Sequence, residues 1–239
     1  MNLDVLFFAA HPDDIELSCG GTLAKLVKIG KKVGIIDLTQ GELGTRGSKN
    51  LRLTEAQKAG RTLGVLLREN LKFKDGNIVN SYANRLKVIT AIRKYKPDII
   101  FAPYFNDRHP DHIHASLLVK ESAFYSGLMK ITSRHSGKLQ DHHRPKKIIF
   151  YMQTYTFNPS FIIDISKEFE LKMKAIKCYS SQFYNPINKD PQTFISDKKF
   201  IEYIESRASF YGFQIGIKYG EPYFIEGNIK LSPESLFDI

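Results

Sequence analysis

The sequence has little cysteine and no long apolar run. Its two cysteines, Cys19 and Cys178, give no disulfide framework, which points to the reducing cytoplasm. The longest apolar stretches, such as Val5 to Ala10 and Ile99 to Pro103, fall far short of the ~18–20 residues that span a bilayer. A secretory leader is not expected either. Asn2-Leu3-Asp4 carries no positive charge, and the apolar run behind it stops at His11-Pro12-Asp13-Asp14. Low-complexity linkers and internal repeats are absent. With 42% hydrophobic and 25% charged residues, the composition excludes a disordered or fibrous chain, and residues 1–239 are expected to form one domain.

What the chain has in excess is positive charge, a formal +10 at neutral pH. The basic residues are spread along the sequence, with one concentration at His142-His143-Arg144-Pro145-Lys146-Lys147. No helix-turn-helix, paired-Cys finger or aromatic RNA-binding motif accompanies them, so nucleic acid is not the expected partner. A basic surface that keeps the protein soluble and attracts anionic small molecules fits better.

Hydrophobic patterning alternates strands with helices, which predicts an α/β fold with a mostly parallel sheet flanked by helices. Strands are expected at Val5–Ala10, Val33–Leu38, Leu71–Phe73 and Ile99–Ala102 in the first half, and near Ile148–Met152 and Phe161–Ile165 in the second. Helices are expected after His11, ended by Gly30, and over about Leu53–Leu63 and Tyr82–Tyr95. Further helices are expected from near His112, and over Lys167–Tyr179 and Asp197–Tyr211 as a C-terminal elaboration. Residues 133–147 show no apolar periodicity and read as an exposed excursion.

Ligands of open parallel sheets bind beyond the carboxyl ends of the strands. Two chemically loaded segments follow predicted strands and share that edge. In His11-Pro12-Asp13-Asp14, His11 and Asp14 stand three apart across a strand-to-helix turn, and an imidazole and a carboxylate suit zinc. Asp13 can then reach a water molecule without binding the metal. Helix capping is the competing role for Asp13 or Asp14. In Asp107-Arg108-His109-Pro110-Asp111-His112, one histidine can complete the metal site while the other faces substrate, and Asp111 can hold an imidazole. Two such clusters at one sheet edge favour a metal centre over two caps.

With these motifs the chain resembles the PIG-L/LmbE family of zinc-dependent N-deacetylases. The resemblance extends to the loop Thr39 to Gly47, to Asn50-Leu51-Arg52, to Pro97 to Pro103, and to Phe161 to Ser166 and Tyr179 to Phe183. It implies a Rossmann-like fold and one Zn2+ per chain held by His11, Asp14 and His112. Asp13 would be the general base. His109 would protonate the leaving amine or stabilise the tetrahedral intermediate, and Asp111 would tune it. Arg52 would sit at the site mouth. Within the family the likeness is greatest to the deacetylase of bacillithiol biosynthesis, which implies an N-acetylglucosaminyl malate substrate. The malate carboxylates would meet Arg108, Arg46, Arg52 or a nearby lysine. The family also implies a trimer or hexamer, and metals such as iron or cobalt can replace zinc at sites of this kind. The chain departs from some relatives at Phe200, which aligns with a tyrosine that assists the oxyanion. Either another group such as Tyr203 or Tyr151 substitutes, or His109 and zinc suffice.

Other chemistries fit less well. Cys19 sits in a helix-like run and reads as a packed, inert thiol. Gly20-Gly21 lacks the spacing of a phosphate loop. The aromatic tail of Phe194, Phe200, Tyr203, Phe210 and Tyr211 reads as core or subunit interface. The alternatives to the deacetylase of a glucosaminyl malate are deacetylation of another N-acetylated sugar, such as a disaccharide, and a non-catalytic basic nucleic-acid-binding module.

Overall fold

Residues on successive positions of the central strands point to opposite faces, and here both faces are apolar. The computed structural model describes residues 1–230, 232 and 233. In β1 (Val5–Ala9), Val5, Phe7 and Ala9 enter one core, whereas Leu6, Phe8 and the following Ala10 enter the other. A strand buried on both faces needs helices on both sides of its sheet, and the chain supplies them.

The chain then runs α1 (Asp14–Lys28), β2 (Val33–Thr39), α2 (Lys49–Leu63), β3 (Leu67–Phe73), α3 (Tyr82–Tyr95), β4 (Ile99–Pro103) and α4 (Pro110–Ser126). A small exposed hairpin of β5 (Arg134–His135) and β6 (Lys138–Leu139) precedes β7 (Lys147–Tyr151), β8 (Phe161–Asp164) and α5 (Phe169–Ile176). A 3-10 turn (Phe194–Ser196), α6 (Lys198–Gln214) and β9 (Gly220–Phe224) complete the described elements. The main sheet is ordered β3-β2-β1-β4-β7-β9-β8. Its first five strands are parallel, with Val5 level with Val33 and Ile99, and Ile99 level with Lys147. β9 runs antiparallel to β7 and β8.

One core packs α1, α2 and α5 on the sheet, and the other packs α3 and α4 on the opposite face. The expected α/β class and mostly parallel sheet are therefore observed. β9 was not expected. It lies between two strands and carries Pro222, which has no N–H to donate, together with the buried acid Glu221. The excursion at residues 133–147 is exposed as expected but contains the β5–β6 hairpin. No described helix is long and apolar enough to cross a membrane.

Chain order reverses direction between β1 and β4. β2 and β3 extend the sheet on one side of β1, and β4 and β7 extend it on the other. The loops after β1 and β4 thus open on the same crevice. They carry His11 to Asp14 and Asp107 to His112.

Candidate active site

The turn from β1 into α1 is built around Asp13. Its backbone lies at φ 112° and ψ −24°, a left-handed conformation that side-chain-bearing residues rarely adopt. Asp13 occupies the N-cap position of α1, yet its side chain makes no capping bond. Its Oδ2 instead accepts from Arg52 Nη2 at 2.8 Å. The helix-cap role therefore fails for Asp13. Asp14 uses Oδ2 to accept the His11 backbone N–H at 2.9 Å, and its Oδ1 lies 3.3 Å from His112 Nε2.

The two histidines are arranged alike. Each presents one ring nitrogen to a carboxylate behind it and the other toward Asp14. His11 Nε2 lies 3.0 Å from Asp75 Oδ1 and 3.3 Å from Asp111 Oδ2, while its Nδ1 is 3.9 Å from Asp14 Oδ2. His112 Nδ1 lies 2.8 Å from Asp107 Oδ1. Carboxylates behind an imidazole fix its tautomer and make the facing nitrogen a better metal ligand. The rings of His11 and His112 are 5.5 Å apart, and the His109 ring is 4.7 Å from His11 and 5.0 Å from His112.

His109 differs from its neighbours. It caps α4, and its Nδ1 accepts the Asp111 backbone N–H at 3.2 Å. A neutral imidazole accepting at Nδ1 carries its proton on Nε2, so His109 remains a donor. Burial, reinforced by the positive neighbours His11 and His112, lowers its pKa and favours that neutral form.

The carboxylates of the pocket favour positive charge on the imidazoles they face. Burial alone would lower the pKa of His11, but Asp111, Asp75 and Asp14 outweigh it and raise it to about 10. Burial opposes protonation of His112 as well, yet Asp14 and Asp107 push it up to about 9. Asp14 is held well below the usual carboxylate range by the same histidines, against the effect of burial. Asp13 moves the other way. Burial raises it to about 7, although the Arg52 charge opposes that rise.

Ligand-capable atoms lie within 4.8 Å of one another in two groups among the described residues, His11-His109-His112 and His11-Asp75-Asp111. Asp14 belongs to neither group. Its two oxygens nonetheless face the nitrogens of His11 and His112 that the outer carboxylates do not engage, at 3.9 and 3.3 Å.

The structure reassigns several expected roles. Asp111 does not touch the His109 side chain through its carboxylate. That group accepts from the Gly76 and Ile78 N–H groups and from His11, so it supports His11 instead. Arg52 is buried, and Nε and Nη2 donate to the Pro12 carbonyl, Nη2 to Asp13 and Nη1 to Gln182 Oε1. It holds the catalytic turn and also lines the cavity. Gly41, at φ 64°, brings its α-carbon against the Arg52 guanidinium, where a side chain would crowd it. Arg46 is buried and does not line the cavity. Arg108 does line it, stacked 4.4 Å over the Phe194 ring. Tyr151 does not line the cavity, and its hydroxyl donates to the Phe8 carbonyl, whereas Tyr203 faces the cavity beside Phe200. Phe194, Phe200 and Tyr203 line the cavity, and Phe200 also packs against the core of α1, α2 and α5. Cys19 is buried, and burial pushes its thiol pKa well up, which leaves it inert.

Sequence reasoning gave no role to Asp75 and Asp107. Asp75 lies just past β3, on the same sheet edge as the other loops, and Asp75-Gly76 is a turn dipeptide. Asp107 lies within the quoted segment, five residues before His112. It also accepts from the N–H groups of His109, Thr154 and Tyr155. His11, Asp13, Asp14, Asp75, His109 and His112 open on a cavity of about 940 Å³, which Arg108, Lys199, Phe194, Phe200 and Tyr203 also line.

The chain is similar to known proteins in sequence and in fold. Residues 6–123 match the family model PIG-L, described as GlcNAc-PI de-N-acetylase. The chain is 30% identical over 229 residues to a diacetylchitobiose deacetylase of Thermococcus kodakarensis, covering 91% of this chain and 80% of that protein. The chain belongs to the PIG-L family. Among solved structures, the conserved protein TT1542 from Thermus thermophilus superposes with a TM-score of 0.87 at 35% identity, covering 97% of this chain and 98% of that one. The N,N'-diacetylchitobiose deacetylase from Pyrococcus horikoshii, solved with its inhibitor MPG, gives 0.79 at 31% identity over 92% and 82% of the two chains. PIG-L membership makes the chain an amidohydrolase of the deacetylase type.

Proposed function

We propose that the chain is a zinc-dependent hydrolase that removes the acetyl group from an N-acetylglucosaminyl conjugate. The observation that carries this reading is the position of Asp14, whose carboxylate faces His11 Nδ1 at 3.9 Å and His112 Nε2 at 3.3 Å. Two imidazoles and a carboxylate are a zinc donor set, and the carboxylates behind the rings fit that use. His11, Asp14 and His112 would hold one divalent ion per chain. When bound, such an ion polarises the amide carbonyl and acidifies water.

The chain's own groups supply the proton transfers. Asp13 is freed from capping and held by Arg52, and it takes the proton of the attacking water. His109 presents Nε2–H to the developing oxyanion, and the proton taken up by Asp13 is returned to the departing amine nitrogen. No tyrosine hydroxyl is needed at Phe200 for either transfer, and Tyr203 stands beside it as a further donor.

For the aglycone, malate is the first reading. Arg108 and Lys199 stand on the outer wall, where they can meet carboxylates. A disaccharide is the second, favoured by the two diacetylchitobiose deacetylases among the relatives and by the aromatic wall. The test is acetate release by the zinc-loaded enzyme from a panel of N-acetylglucosaminides, with Asp13→Ala alongside. The wild type should release acetate, with the lowest KM for the malate conjugate. Asp13→Ala should retain its zinc and lose about 10²–10⁴-fold in turnover. An Asp13→Ala enzyme as fast as wild type would remove Asp13 as the base, and a KM indifferent to malate would transfer the aglycone to the second reading.

A further inference from the structure

Gln153 follows β7 and lines the cavity, yet neither metal binding nor proton transfer uses it. Its Oε1 accepts from Ser18 Oγ at 2.7 Å, which fixes the plane of the amide. Its Nε2 is buried and has no hydrogen-bond partner, in a side chain belonging to a residue only 8% exposed. Buried amide groups are nearly always paired, so this exception calls for an explanation. Ser18 stands four residues after Asp14 on α1, one helical turn (about 5.4 Å) along the same face. Gln153 therefore borders the catalytic carboxylates rather than the outer wall.

The backbone that carries Gln153 is tied by three hydrogen bonds, to Arg207 and to Asp107. Its carbonyl accepts from Arg207 Nη1, and Arg207 Nη2 donates to the Leu17 carbonyl at 2.9 Å. The next two N–H groups, of Thr154 and Tyr155, donate to Asp107 Oδ2 at 2.7 and 3.2 Å, and Asp107 also holds His112. The strip is thus fixed relative to the same histidine that faces Asp14. Turning the amide toward another protein group would break the Ser18 bond. Arg207, the cation beside it, is already committed to two carbonyls, so this position is suited to a neutral oxygen. Anionic groups are left to Arg108 and Lys199.

We propose that Gln153 is a specificity residue whose carboxamide hydrogen bonds a neutral oxygen of the amino-sugar ring close to the acetamido group. With the amide oxygen on Ser18, Gln153 donates to that oxygen. With the amide turned over, it accepts a sugar hydroxyl, and the consequence for substrate choice is the same. The proposal rests on the deacetylase reading given above.

The experiment compares wild type with Gln153→Met and Gln153→Glu on methyl N-acetylglucosaminide and on its analogues lacking the C3 oxygen or the C1 oxygen. On the parent, Gln153→Met should lose about tenfold or more in kcat/KM, chiefly through KM, with metal content and Tm unchanged. On the one analogue that lacks the partner oxygen, wild type and variant should become equal. Wild-type kinetics for Gln153→Met, or an equal loss on every substrate, would overturn the assignment. If neither variant accumulates folded, a wild-type complex with the deacetylated methyl glycoside decides. An amide atom of Gln153 within about 3.2 Å of a sugar oxygen supports the proposal, and separation beyond about 4 Å from every sugar oxygen overturns it. Failure of the deacetylase reading itself is seen separately, as a wild type that releases acetate from none of the three substrates.

Discussion

Asp13 holds a left-handed backbone at φ 112°, a strained conformation that persists only where its surroundings impose it. Arg52 imposes it, since two of its nitrogens grip the Pro12 carbonyl and one of these also binds the Asp13 carboxylate. The same contact tunes the base. Burial raises Asp13 to about 7 and the Arg52 charge works against that rise. A general base must be deprotonated, so activity should climb as pH rises through the Asp13 pKa. Arg52→Gln removes the lowering influence and should move the acidic limb of the kcat/KM profile to higher pH. The loss should be at least about tenfold at pH 6 and smaller at pH 8.5. A uniform loss across the profile would mean that Arg52 serves only to bind substrate or to hold the fold. The pairing of His11 to Asp14 with His109 to His112 was legible in the sequence because both segments follow strands. The partners of Arg52 were not, because a pairing between residue 52 and residue 182 depends on how α2 and the segment after α5 pack.

At the scale of elements, the parallel half of the sheet was readable because its strands are continuous apolar runs, as in Val5 to Ala9. β9 was not. Gly220-Glu221-Pro222 has the composition of a turn, and its place depends on one tertiary contact. Glu221 accepts from the Gly21 and Thr22 N–H groups of α1 at 3.0 and 2.8 Å and from Lys172 Nζ of α5 at 2.7 Å. Burial by itself would raise the Glu221 pKa, but Lys172 and the α1 groups more than offset it and hold it below its usual value. Burial pushes Lys172 down, so the pair gains through the acid while the lysine bears a cost. A depressed carboxylate contributes stability above its unfolded pKa of roughly 4.3, and that contribution falls away as pH drops through the folded value. Glu221→Ala leaves Lys172 buried and unpaired and should cost about 3–5 kcal/mol by urea unfolding at pH 7. The deficit should shrink below pH 4. A cost under about 1 kcal/mol at pH 7 would show that β9 is held by apolar packing alone.

Across the whole molecule, direction reversal between β1 and β4 gathers residues from four loops, at 11–14, 75, 107–112 and 153, around one crevice. The general rule for open sheets located that crevice from the sequence. The rule could not supply the outer supports Asp75 and Asp107, since each is read as a support only when the imidazole it faces is known. Nor could it distribute the positive charge. Arg46 turns out to be buried away from the cavity, while Arg108 is stacked on Phe194 at its wall.

The central claim is that the free nitrogens of His11 and His112 and the Asp14 carboxylate share one metal ion. Anomalous diffraction collected on either side of the zinc absorption edge, from crystals of zinc-loaded protein, tests it directly. A single peak between His11 Nδ1, Asp14 and His112 Nε2 is the predicted result. A peak instead at His11 Nε2 among Asp75 and Asp111, or none within reach of His112, would contradict it.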